Sequence, residues 1–280
     1  MSYKTILVQI DDSRHVQARV ELAACIAVAQ EAHLIGAVLT GVSRFVADAV
    51  AIDQDDPAIT GYLDVLRQRA LVCLDRFEEQ AQRLSVHSYE RRLVDDDAGV
   101  GISLHARYCD LVVLGQSDPN QPGRLDGAGI PDYVTMTAGT PVLIVPTSGR
   151  FFGTGGHVLI AWNGSREAHR AMQGAMPLLQ AAQRVEVVLF NPRERTDPSG
   201  AQPGMDVIQT LQRHGVEATL RIAHAGRGAL GSALLSMATQ SAASLLVMGC
   251  YGHTRFREML LGGASREILA SMTVPVLMAH

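Results

Sequence analysis

Gly156-His157-Val158-Leu159-Ile160-Ala161-Trp162-Asn163-Gly164-Ser165 is an apolar run that stops abruptly in a polar, glycine-containing turn. The aliphatic side chains from Val158 to Ala161 suit a strand buried on both faces. Ser165 stands just before an alanine-rich helical pattern at 166–182, the position of a helix N-cap rather than of a nucleophile, since no Gly-x-Ser-x-Gly elbow surrounds it. Strand, tight turn and helix together open a βαβ unit.

The same unit occurs earlier in the chain. Lys4-Thr5-Ile6-Leu7-Val8-Gln9-Ile10-Asp11-Asp12-Ser13 reads as a buried strand ending in an acidic turn, followed by a helical pattern at 14–30, with Asp11 opposite Asn163 at an offset of 152. Farther on, Asp110-Leu111-Val112-Val113-Leu114-Gly115 matches Ser244-Leu245-Leu246-Val247-Met248-Gly249 at an offset of 134. Thr140-Pro141-Val142-Leu143-Ile144-Val145 matches Val274-Pro275-Val276-Leu277-Met278-Ala279 at that same 134. The first copy therefore holds 18 extra residues, expected around 43–62, where Asp53, Asp55, Asp56 and Pro57 break the pattern. A chain of 280 residues accommodates two domains of ordinary size.

In the second copy strands are expected near 157–162, 185–190, 218–223, 245–248 and 276–279, with helices near 166–182, 205–214, 229–242 and 263–271. Strands alternating with helices predict an α/β fold of two tandem doubly wound domains, each a parallel sheet with helices on both faces. The glycine-rich stretch from Thr147 to Gly156 marks the boundary, giving domains 1–148 and 156–280.

Bulk properties narrow the function. Apolar residues make up 47% and charged ones 19%, enough for a filled core and too apolar for disorder. No apolar run is long enough for a membrane span, and the N-terminus runs straight into a strand without a secretory pattern, so a soluble cytoplasmic protein is expected. Cys25, Cys73, Cys109 and Cys250 show no CxxC spacing, which fits reduced, mostly buried thiols. Residues 1–150 carry 13 Lys and Arg against 20 Asp and Glu, whereas 151–280 carry 11 against 8. The acidic first part disfavours nucleic acid as a partner, and the second part is the more hospitable to an anion.

The chemistry-bearing stretch runs from Val247 to Leu269. A strand leads to Gly249 and Gly252; nine residues later Gly262-Gly263-Ala264-Ser265 open a helix. Glycines let main chain approach a ligand without a Cβ, and the N–H groups at a helix N-terminus face an anion. In an open α/β sheet such a site lies beyond the carboxyl ends of the strands, where the strand order reverses. Turn-making and close helix–strand contact is the plainer reading of any one of these glycines.

Taken together, Gly249-x2-Gly252-x9-Gly262 resembles the nucleotide loop of the universal stress protein family. Asn163-Gly164-Ser165 is similar to that family's Asp-Gly-Ser, and Val274-Pro275-Val276-Leu277 to its final strand, so the likeness covers both copies. The resemblance implies a five-stranded sheet of order 3-2-1-4-5 and, where the loop is kept, binding of ATP or a related adenine nucleotide (ADP or AMP), with magnesium held chiefly by the phosphates. It also implies two domains side by side that mimic a dimer; whether a homodimer of such chains is a further partner state the sequence leaves open. Carried over, Asn163 takes the place of the acidic residue beside the nucleotide, Phe190 lies where main chain meets adenine, and Gly249, Gly252, Gly262, Gly263 and Ala264 line the phosphates. Asn163 loses a charge relative to the family's aspartate. Gly263 replaces a Ser or Thr, and Ser265 is the nearest hydroxyl to stand in for it.

In the first copy Gly115 falls opposite Gly249, but Asp118 falls opposite Gly252, Ala128 opposite Gly262 and Gly129 opposite Gly263. A carboxylate where a phosphate belongs predicts a degenerate site. Arg255 and Arg257 are candidate phosphate contacts or solvated loop residues, and His253 is the more plausibly structural. Trp162, next to Asn163, turns to the opposite face by strand alternation, toward packing. Asp95-Asp96-Asp97 caps the helix after the third strand rather than binding metal. Cys250 sits within the glycine loop with no neighbour to activate it. No catalytic lysine lies in the loop (Lys4 is the chain's only lysine), so binding rather than turnover is expected, with slow ATP hydrolysis as the most catalysis to anticipate. The rival readings are a protein-interaction scaffold without nucleotide and, less favoured, an ATP-cleaving enzyme.

Overall fold

The structure, a computed structural model, describes residues 2–43, 57–118, 129–149, 151, 155–191, 204–226, 228–250 and 263–280. Two compact units divide the chain, Ser2–Val142 and Leu143–His280. Divided by the repeat instead, the N-terminal half contains β1 (Thr5–Ile10), α1 (Val16–Gln30), β2 (His33–Leu39), α2 (Pro57–Arg83), β3 (Tyr89–Val94), α3 (Ala98–Ala106), β4 (Leu111–Gly115), α4 (Ile130–Thr137) and β5 (Val142–Val145). The C-terminal half contains β6 (His157–Trp162), α5 (Arg166–Gly174), α6 (Met176–Ala181), β7 (Arg184–Phe190), α7 (Met205–Arg213), β8 (Ala218–Ala223), α8 (Leu230–Gln240), β9 (Leu245–Gly249), α9 (Ala264–Ser271) and β10 (Val276–Ala279).

Strand order is β3-β2-β1-β4-β5 in the first half and β8-β7-β6-β9-β10 in the second, the same 3-2-1-4-5 arrangement twice. β1 pairs in parallel with β2 (Thr5 level with His33) and β4 (Ile6 level with Leu111). β6 likewise pairs with β7 (Trp162 level with Leu189) and β9 (Ala161 level with Met248). The central strands are buried along their length, with Ile6, Leu34, Leu111, Leu159, Val187 and Val247 at 0% exposure. That is why they read as unbroken apolar runs. β3 and β8 flank only one strand in each half, and there charged residues appear, Glu90-Arg91-Arg92 and Arg221.

Side-chain alternation at the end of β1 places helices on both faces. Asp11 turns to α1, where Arg19 meets it at 2.6 Å, and the next residue, Asp12, turns to α2, where Arg69 meets it at 2.6 Å. α2 packs on β2 through Phe77, which lies directly over Gly36 and meets Tyr89 edge-on at 6.3 Å between ring centroids.

Two expectations need correction. The helical pattern at 166–182 is two helices, because Pro177 in the first turn of α6 cannot donate to the preceding turn. The extra length of the first copy is not confined to residues 43–62. α2 has 27 residues where its counterpart α7 has 9, so residues 57–62 already belong to a helix. Residues 44–56, with Asp53, Asp55 and Asp56, lie outside the described residues. Within the acidic triplet the roles divide: Asp97 caps α3 by accepting from the N–H groups of Gly99 and Val100, whereas Asp95 holds Arg67 of α2 at 2.7 Å.

Candidate functional site

Strand order reverses between β6 and β9, so the carboxyl ends of these two strands, with β7 beside β6, define the cleft of the C-terminal half. After β6 the chain turns sharply. The Asn163 side-chain oxygen accepts the Ser165 N–H at 3.0 Å, Gly164 takes φ +72°, and the Ser165 hydroxyl accepts the Ala168 N–H at 3.1 Å as the N-cap of α5. Asn163 is exposed, and one of its oxygen's two acceptor directions is spent on this turn.

This tight turn brings the main chain of α5 onto the end of β9. A Cβ on Gly249 would meet the backbone of Glu167 and Ala168, 2.9 Å from the Ala168 Cα. Gly249 is therefore required by helix–strand packing, whatever else it lines. Glu167, in the first turn of α5, is buried and accepts from Arg166 Nε at 2.6 Å. Burial pushes its carboxyl up, but the Arg166 hydrogen bond and backbone amide outweigh this and hold it below the usual carboxylate range. Its negative charge also suits the helix N-terminus.

α9 starts differently. Its N-cap is Gly263, in extended conformation (φ −61°, ψ 161°), with no side chain to cap the first turn. Ala264 and Ser265 form that first turn and are both half-buried. The one acid of the turn, Glu267, points its carboxyl at Gly231 in the first turn of α8, with Cδ 2.8 Å from where a Cβ of Gly231 would be. The start of α9 is thus left to main-chain donors. Cys250, just past β9, is buried; its N–H and thiol both donate to the Ala279 carbonyl, at 3.0 and 3.3 Å.

The matching place in the N-terminal half is filled. Arg19 reaches from α1 across the ends of β1 and β4, its guanidinium lying on Gly115 and bonded to Asp11, with side chains 3% and 1% exposed. Asp118 does not present a bare charge there: its carboxylate, 8% exposed, faces His15 at 3.4 Å and Arg14 at 3.6 Å. A buried Arg19–Asp11 ion pair thus occupies the place that the end of β9 and the start of α5 hold in the C-terminal half, and Asp118 is paired with His15 and Arg14 beside it.

The sequence profile of the Universal stress protein family matches residues 2–146 and again 156–280. The chain belongs to the universal stress protein family. Universal stress protein Slr1230 of Synechocystis sp. (strain ATCC 27184 / PCC 6803 / Kazusa) is 27% identical over 174 residues, 60% of this chain and 57% of that protein. The chain thus aligns with little more than half of that relative's length. Among solved structures, a universal stress protein from Archaeoglobus fulgidus DSM 4304 superposes with a TM-score of 0.69 at 14% identity, covering 98% of this chain and 95% of that one. The functionally unknown protein PA1789 from Pseudomonas aeruginosa PAO1 gives 0.59 at 18% identity, covering 99% and 92%. At these identities the likeness is one of fold.

Of the residues singled out in this universal stress protein, Asn163, Phe190 and Gly249 come together at the carboxyl ends of adjacent strands, and Gly263, Ala264 and Ser265 start α9. Gly252 and Gly262, with His253, Arg255 and Arg257, lie outside the described residues. Trp162 is half-buried, not a core ring. Among the described residues no three His, Cys, Asp or Glu side chains gather as metal ligands, and no helix is long and apolar enough to cross a membrane.

Sequence reasoning missed two residues. Arg19 sits among Val20, Ala23 and Ala24 on the buried side of α1, where an arginine reads as a surface residue until its partner is known. Asn191 follows Phe190 with φ +47°, a conformation asparagine tolerates. Its position at a strand end before Pro192 was the available signal.

Proposed function

We propose that the C-terminal half binds one adenine nucleotide at the β6/β9 cleft, in a regulatory, stress-response role, and that the N-terminal half holds none. The observation carrying this reading is the contrast between two equivalent places. In one, the glycine-bearing end of β9 lies against the start of α5 beside the uncharged Asn163, and α9 begins at Gly263 with no side-chain cap. In the other, Arg19 and Asp11 fill the space with a buried ion pair. The phosphates would face the main chain from Gly263 to Ser265, with Gly252 and Gly262, which lie outside the described residues, as the further members of the cradle that the family resemblance implies. The base would lie against the end of β7 at Phe190. Magnesium, when present, would be carried by the phosphates, since the one described carboxylate at the start of α5, Glu167, is bound to Arg166.

Titration calorimetry with ATP, ADP and AMP tests the reading. One equivalent per chain is expected, lost in Gly252→Val, where a branched side chain would enter the cradle. No heat with any of the three at millimolar concentration removes the proposal. A second reading, a protein-interaction scaffold, is favoured by one feature. Tyr62, Val65 and Val72 on α2 are 61%, 58% and 49% exposed, an apolar stripe that solvent alone does not explain.

A further inference from the structure

Asn191 does more than end a strand. Its N–H donates to the Ala223 carbonyl of β8 at 2.9 Å. Its side chain then pairs with the main chain of Ala225 on both sides: Nδ2 donates to the Ala225 carbonyl at 2.8 Å, and Oδ1 accepts the Ala225 N–H at 3.2 Å. The same Oδ1 faces His224 Nδ1 at 3.3 Å, and an amide oxygen can only accept, so the imidazole donates there. The positive φ of Asn191 turns the chain out of the sheet directly after Phe190. Together these bonds lock the tip of β7 to the segment that follows β8.

The locked tip has a free side. Successive residues of a parallel strand direct their peptide groups to opposite neighbours. Asn191 is directed at β8, so Phe190 is directed at β6, whose ladder with β7 ends at Trp162 level with Leu189. The Phe190 carbonyl therefore points past the end of β6 into the switch-point cleft. A lone main-chain acceptor there suits the exocyclic amine of adenine and opposes O6 of guanine, itself an acceptor.

We propose that Asn191 is a positioning residue for base selectivity: by clamping Ala225 it fixes the Phe190 carbonyl where it accepts from adenine and rejects guanine. The inference rests on the nucleotide reading above. The test compares ATP and GTP affinities by calorimetry in the full-length chain and in two variants. Asn191→Gly keeps the positive φ and loses both bonds to Ala225; ATP affinity is expected to fall about tenfold, with the ATP-to-GTP ratio dropping toward one. Asn191→Asp keeps the acceptor for the Ala225 N–H and is expected to fall between. An unchanged ratio in Asn191→Gly, or equal losses for both nucleotides, overturns the selectivity role and leaves the nucleotide site standing. A wild-type chain that binds neither nucleotide overturns both.

Discussion

Gly249 at the end of β9 lies against the backbone of Ala168 in α5, so closely that a Cβ on Gly249 would stand 2.9 Å from the Ala168 Cα and 2.5 Å from the Glu167 carbonyl carbon. Main-chain atoms in a capped first turn cannot step aside as a flexible side chain can. Gly249→Ala is expected to destabilise the C-terminal half by about 1–3 kcal/mol, the usual range for overpacking a close contact. Urea unfolding followed within that half should show a lower midpoint; an unchanged midpoint would mean the helix start yields freely.

The Ser165 cap holds that helix start in place. Ser165→Ala is expected to cost about 1 kcal/mol, with Ser165→Thr recovering most of it, because the threonine hydroxyl makes the same bond. Equal stability of all three proteins would show that packing on Gly249, not the cap, fixes α5.

Asp11 and Arg19 give the N-terminal half a pH signature. Burial alone would raise the Asp11 carboxyl, but the Arg19 guanidinium and hydrogen bonds from Arg19 and Ser13 hold it below its ordinary 3.8. A folded-state value below the unfolded one means the stabilisation is complete above the unfolded value and disappears as pH falls through the folded one. Asp11→Asn should therefore cost about 3–5 kcal/mol near neutral pH, since it strands a buried guanidinium. The gap between wild type and variant should narrow below roughly pH 4. A gap independent of pH down to acid unfolding would show that Asp11 contributes shape and not charge.

Nucleotide should protect one half selectively. At a ligand concentration a hundred times Kd, linkage adds about 2.7 kcal/mol to whatever binds. Amide exchange should slow in β6, β7, β9 and α9 and stay unchanged in β1 and β4. Equal slowing in both halves would mean that Arg19 does not exclude a ligand.

Much of this architecture was legible in the sequence because parallel strands buried on both faces leave unbroken apolar runs. Val158–Ala161, Val185–Leu189 and Leu245–Met248 announce themselves, while their order in the sheet came only from the family resemblance. Ser165, and the Asp95–Asp97 run as a whole, were legible as caps because a short oxygen side chain directly before a helical pattern has few other uses; that Asp97 is the member that caps came from the structure. Other features had no such local mark. The break between α5 and α6 depended on one proline, and the 27 residues of α2 take up length that the sequence pattern placed around 43–62. Of the glycine pattern only Gly249 and Gly263 fall among the described residues, and the pattern could not separate roles. Gly249 answers to helix packing, and the clamp of Asn191 on Ala225 joins residues 34 positions apart. Arg19 was hidden for the same reason, because its two contacts, Asp11 and Gly115, become neighbours only in the folded sheet.

That buried guanidinium has a thermodynamic consequence. A side chain tethered within its own cleft acts as an occupant at an effective concentration that no change in metabolite supply can dilute. The opening free energy of the N-terminal half is thereby set once, at synthesis. Under the proposed binding mode that of the C-terminal half rises and falls with the nucleotide pool, so in a starved cell cleavage by proteases would begin there. Such a chain would register scarcity through its lifetime, with one half as a fixed reference against which the other is measured.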